Sequence, residues 1–216
     1  MFVGHLSIAF AAKTGTRSVP LWIYFLAVQW LDLAASILSI FGIETMEFEL
    51  GTTRLNTLHP NNMIYTHSLP GAIAFSALFG SIVASRANER RVITFAVVSA
   101  AVFSHWLLDL IVHSGVPLYG GATLGLGLWR YAVISFLLEL LLLVAAASLY
   151  SRAIPTVGAR GTHSLWRFVA LLVVLQVYVS FGPPPPSEML MIIMVFVSVV
   201  VLTLFAARVE HARLQH

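Results

Sequence analysis

At 216 residues, 59% hydrophobic and only 10% charged, the chain is far more apolar than soluble domains, which average roughly 45–50% apolar and about 25% charged residues. A surface that apolar cannot face water throughout, so the excess must face lipid. The net charge of +3, spread over short loops, argues against a nucleic-acid partner, and the lack of cysteine excludes disulfides, thiolate metal sites and cysteine nucleophiles.

Met1–Ala12 has no basic residue ahead of its apolar stretch; Lys13 comes after it. It therefore reads as part of the mature protein, not as a cleaved signal peptide. A span takes about 20 apolar residues, so residues 2–12 are expected as a re-entrant segment or a short helix tucked among others. Full spans are expected at 19–42, interrupted by Gln29 and Asp32, and at 68–85, whose small residues suit close helix packing. Four more follow at 92–113, 129–150, 166–182 and 188–207. The prolines at 183–186 make a stiff turn between the last two. The expected fold class is all-α: a polytopic transmembrane helix bundle of six full spans plus a short N-terminal helix. It forms one integral membrane domain over 1–216, with a polar, chemistry-bearing half at about 1–120 and accessory helices at about 121–216.

Basic residues near span ends orient the bundle. Lys13, Arg17, Arg86, Arg90, Arg91, Arg152, Arg160, Arg167, Arg208 and Arg213 fall on one side, against Arg54 and Arg130 on the other. The arginine-rich side, with the C-terminus, is therefore expected in the cytoplasm, and the loops 43–66 and 114–128 outside.

Asp32 and Asp109 are the only aspartates, and both lie inside apolar spans. A carboxylate at the bilayer centre costs at least about 2.5–3.5 kcal/mol on insertion scales, so each needs a partner or a task. The sharpest motif is SHWLLDLIVH at 104–113, in which His105, Asp109 and His113 recur one turn apart on one helix face. In YTHSLPG at 65–71, Ser68 and Pro70 suit the first turn of a helix and set His67 at its entrance. His5 lies in GHLSIAF, while His59 reads as a loop residue and His163, His211 and His216 as solvated ones.

Depth connects these residues. At ~1.5 Å per residue, Asp32 and His105 lie roughly 20 Å above the cytoplasmic end, Asp109 about 26 Å, and His67 and His113 about 30 Å. Groups distant in sequence thus converge on the outer half of the bilayer. Imidazole with carboxylate is a ligand mix for a divalent ion, zinc above all, with manganese or iron as alternatives. The set can hold one ion, or two bridged by a carboxylate. Glu139, in FLLELLLL near mid-bilayer, either reaches the site or pairs with Arg130 or Gln29. Trp106 is expected to pack against lipid or a neighbouring helix.

GHLSIAF, an intramembrane aspartate in the next helix, THS at 66–68 and SHWLLD at 104–109 before a glycine–proline loop together resemble the bacterial membrane-bound metal-dependent hydrolases. The resemblance covers roughly residues 1–120. Members often carry an acidic pair or Asp-His after the second-helix aspartate, where this chain has Leu33 and Ala34. The resemblance implies a metal-dependent hydrolase of a bacterial inner membrane, without naming a substrate.

The expected activity is hydrolysis in the outer half of the membrane. His67, His105 and Asp109 would hold the metal, with Asp32 and His5 as further ligands and His113 or Glu139 as proton shuttle. Ser68, Ser104 or Gln29 would orient the ligands. An outward mouth suits an amphiphilic or lipid-like substrate drawn from the bilayer, such as a phosphoester, with Arg54 and Arg130 receiving its phosphate. The alternative is an ion- or proton-coupled transporter or channel using the same intramembrane residues.

Overall fold

The structure, a computed structural model, describes all residues except 46, 49–57, 60–62, 88, 89, 157, 215 and 216, and only the backbone of 47, 48, 58 and 59. Arg54 and His216 therefore lie outside the described residues, as does the side chain of His59.

The fold is all-α, with eight α-helices among the described residues: α1 (Val3–Gly15), α2 (Leu21–Val28), α3 (Trp30–Ile40), α4 (Leu69–Ser85), α5 (Arg91–Val112), α6 (Ala132–Ala153), α7 (Ala159–Phe181) and α8 (Glu188–Leu214). Two short antiparallel ladders lie in the connections: β1 (Glu47–Phe48) with β2 (Leu58–His59), and β3 (Val116–Pro117) with β4 (Thr123–Leu124).

Each stretch expected to span is helical, and among the described residues length and composition support four or five full spans. Four helices, α5 to α8, are long and apolar enough to cross a bilayer. A fifth crossing requires α2 and α3 together, which meet at a 54° bend. At 17 residues α4 falls short of that length. Apolar helices of this length make the chain an integral membrane protein.

The N-terminal segment is the tucked helix of the two alternatives. Residues on all sides of α1 are buried, among them Val3, Leu6, Ala9 and Phe10. Phe10 sits at the centre of the core, with ring centroids 5.1 Å from Phe25, 5.5 Å from Tyr150 and 6.4 Å from Phe168. Two carboxylates from the second half of the chain hold its ends. At the start, Glu139 of α6 accepts from the amides of Phe2 (2.8 Å) and Gly4 (3.1 Å), and Gln176 of α7 accepts from that of Val3 (3.4 Å). At the other end, Glu210 of α8 pairs with Lys13 at 2.6 Å and accepts from the Leu21 amide at 2.7 Å. The first amides of a helix lack intrahelical partners, which is why carboxylates settle there.

The longest helix–helix contact joins α4 and α5. At Gly80 an added Cβ would stand 3.1 Å from the Phe95 carbonyl oxygen, so the small residue sets how closely the two helices approach.

Candidate metal centre

Four helices deliver the polar residues to one place. α5 carries His105 and Asp109 one turn apart, and both are buried. α3 brings Asp32 and α1 brings His5. His67 precedes α4, whose N-cap is Ser68: its hydroxyl accepts from the Gly71 amide at 3.2 Å, with proline in the first turn, as the motif predicts. Gly71 is required there, because an added Cβ would lie 2.0 Å from the Tyr65 carbonyl oxygen.

The distances describe two overlapping groups that share His105. His105 Nε2 lies 3.4 Å from Asp32 Oδ1 and 3.3 Å from Asp109 Oδ2. His67 Nε2 lies 3.5 Å and 3.9 Å from the same two oxygens. Asp109 turns its other oxygen, Oδ1, to His5 Nε2 (3.1 Å), the Met1 nitrogen (3.0 Å) and His113 Nε2 (3.8 Å). The His5 ring stacks on that of His105, centroids 3.8 Å apart.

The protons on the far nitrogens can be assigned. His105 Nδ1 is 2.7 Å from the Val28 carbonyl, which can only accept, so Nδ1 carries the proton. That carbonyl ends α2, where the break at Gln29 leaves it without a helical partner. The Thr66 hydroxyl donates to Glu44 Oε2 at 2.7 Å, so it accepts from His67 Nδ1 at 2.8 Å. Glu44 is itself fixed by the amides of Tyr65 (2.7 Å) and Thr66 (2.9 Å), and Trp106 Nε1 donates to the His67 carbonyl at 2.9 Å.

Both Nε2 atoms therefore face carboxylate oxygens, and positive charge must lie between them. A proton on each ring fits poorly. Each nitrogen stands almost equally far from two oxygens, at 3.3–3.9 Å, whereas a single N–H points at one acceptor at about 2.7–3.2 Å. A divalent ion fits better: ligand bonds of about 2.0–2.2 Å at tetrahedral angles put neighbouring donor atoms roughly 3.3–3.6 Å apart. Donor atoms of His5, His105 and Asp109, and of Asp32, His67 and His105, lie within 4.8 Å of one another. The buried His/Asp groups can thus hold a metal ion. The Asp32 side chain, 34% exposed, marks the open side.

Several expected roles change. Gln29 Nε2 donates to Phe25 O near the end of α2, and no described contact joins Gln29 to a candidate ligand. Ser104 bonds back to Ala101 O within its own helix, and Ser68 is occupied as the cap of α4. Glu139 holds the start of α1, with two amides on one oxygen, and neither pairs with Arg130 or Gln29 nor serves as shuttle through any described contact. His113 stays at the rim, its ring 4.3 Å from that of Trp129, and the exposed Arg130 follows in the 3-10 turn Leu128–Arg130. Glu44, Thr66 and the Val28 carbonyl carry supporting roles that the sequence does not announce. Only the THS motif hinted at one, by placing a hydroxyl beside His67.

Comparison of the chain with models of protein families, with curated proteins and with solved structures returns no match.

Proposed function

We propose that the chain is a metal-dependent hydrolase of a bacterial inner membrane, acting on an amphiphilic, lipid-like substrate such as a phosphoester. The observation that carries this reading is the pair of Nε2 atoms of His67 and His105 facing Asp32 Oδ1 and Asp109 Oδ2 at 3.3–3.9 Å. In this reading those four residues hold one ion, zinc first among candidates, and His5 steadies Asp109 through Oδ1. Such an ion would supply Lewis-acid polarisation of the scissile group and would lower the pKa of a water toward ~7. His113 Nε2, on the rim, is placed to take up and return the proton. Arg130 offers the exposed cation for an anionic head group. An amphiphilic substrate is further supported by the exposed Phe41, Ile43, Tyr65, Tyr119, Leu126 and Tyr131 in the connections at this end of the bundle.

The topology that goes with this reading has α4 crossing as a sixth, shorter segment, the arginine-rich side and C-terminus in the cytoplasm, and the site opening outward.

Elemental mass spectrometry of the purified protein is the primary test, with His105→Ala and Asp109→Ala beside wild type. Near-stoichiometric metal is expected in wild type and none in either variant, with turnover of a lipid phosphoester lost in parallel. Wild-type protein that stays metal-free after incubation with zinc, manganese or iron would end the metal reading. One observation favours the transporter instead: the 54° break between α2 and α3 lies beside the site, and broken helices build transport sites. Ion flux into proteoliposomes that depends on Asp32 would favour that alternative.

A further inference from the structure

At the arginine-rich end of the bundle, two cations are drawn inside the fold. Lys13 pairs with Glu210 at 2.6 Å, and Arg213, buried, donates to the Ile154 carbonyl and lies over the Tyr150 ring. Arg160, Arg167 and Arg208 differ. They surround a cleft of about 640 Å³ between α7 and α8 whose floor includes Phe168, Leu171 and Phe205. All three are exposed, and among the described residues no carboxylate lines the cleft and none of the three guanidinium groups has a partner.

Helical spacing makes this one site rather than scattered charge. Residues 160 and 167 are two turns apart on one face of α7 and lead down to Phe168 and Leu171, while 205 and 208 share a face of α8. α7 and α8 run in opposite directions through the Pro183–Pro186 turn. Counted at ~1.5 Å per residue, Arg167 lies about 12 Å from the start of α7 and Arg208 about 9 Å from the end of α8. The two guanidinium-bearing positions are therefore at one level, a turn or two inside helices apolar enough to cross a bilayer. The preference for basic residues on one side explains which end holds them. It does not explain why three of them ring an apolar cleft without an acid among them. At that depth the anion available to such a ring is a lipid phosphate, and arginine's planar fork matches its oxygens.

We propose that the α7–α8 cleft binds one anionic phospholipid. Its phosphate lies between Arg167 and Arg208, Arg160 contacts the outer part of the head group, and an acyl chain covers Phe168, Leu171 and Phe205. This site is separate from the His/Asp centre, whose candidate ligands come from α1, α3, α5 and His67 ahead of α4.

The test uses the full chain reconstituted in bilayers of phosphatidylcholine alone or mixed in equal parts with phosphatidylglycerol, then extracted gently and read by native mass spectrometry for retained lipid. Wild type should keep one phosphatidylglycerol and no phosphatidylcholine. R167Q/R208Q should lose that lipid roughly 30-fold, about 2 kcal/mol at ~1 kcal/mol per charge. R86Q/R90Q, which removes two arginines from the same end but outside the cleft, should retain it. If R167Q/R208Q does not fold, R167K/R208K keeps the charge and should still weaken retention several-fold by losing the bidentate fork. Equal retention of both lipids, displacement of phosphatidylglycerol by millimolar inorganic phosphate, equal loss in R86Q/R90Q, or undiminished retention in the cleft variants would each overturn the proposal.

Discussion

The two nitrogens of His105 meet different surroundings, and the difference sets what the site can do. Nδ1 donates a hydrogen bond to the Val28 carbonyl at 2.7 Å, leaving Nε2 to face Asp32 and Asp109. His67 is oriented the same way through a longer chain, from imidazole to the Thr66 hydroxyl to the Glu44 carboxylate. Partners of this kind fix the tautomer and ring orientation of a metal-binding histidine, and their removal typically weakens metal affinity 10–100-fold. Thr66→Val keeps the shape and removes the hydroxyl. Its zinc affinity, measured by competition with a chromophoric chelator, is expected to fall by about that factor, with cobalt absorption bands shifted in the same variant. Unchanged affinity and spectrum would show that His67 needs no such support. Glu44→Gln should have a smaller effect in the same direction, since one acceptor oxygen remains for the Thr66 hydroxyl or the amides but not for all three donors.

At the scale of elements, two irregularities build the site. The break between α2 and α3 frees carbonyls at the end of α2. His105 uses that of Val28, and the Gln29 side chain uses that of Phe25. The short α1 reaches the cluster because Glu139 and Glu210, on α6 and α8, hold its two ends. Replacing Glu139 by alanine unpairs one buried amide, that of Gly4, worth about 1–3 kcal/mol, and the part-buried amide of Phe2. The expected result is a lower unfolding temperature in detergent, with metal content at saturation retained. An unchanged unfolding temperature together with lost turnover would instead make Glu139 a participant in the chemistry. The SHWLLD helix and the Ser68 cap were readable beforehand because their signals are local: one-turn spacing on α5 and a hydroxyl ahead of proline on α4. The partners of Gln29, Ser104 and Glu139 are not legible in the same way, because a polar residue in an apolar run has several possible partners. Which one it takes depends on helix ends that sequence does not locate.

For the whole molecule, the metal reading couples the site to stability. In that reading an ion held by Asp32, His67, His105 and Asp109 ties α3, α5 and the segment before α4 together, with α1 joined through His5 and Asp109. Binding to the folded state alone stabilises by RT ln(1 + [L]/Kd), about 2.7 kcal/mol at a hundredfold excess over Kd. Chelation should therefore lower the unfolding temperature, and zinc should restore it; a transition indifferent to chelator and metal would count against any ion in the cluster. Sequence alone determined that this is a helical membrane protein, because composition and run length follow directly from the solvent a chain must meet. It also singled out His5, His67, His105, Asp32 and Asp109, since buried ionisable groups in so apolar a chain are conspicuous. Tertiary structure alone decided the count of helices long enough to cross, the bend at Gln29, and the insertion of α1 into the core. It also decided the supporting bonds from Val28, Thr66 and Glu44. Each of these depends on which distant residue arrives to satisfy a helix end or a ring nitrogen, and hydrogen bonds between residues as much as 189 apart, as from Leu21 to Glu210, leave no periodic trace in the chain.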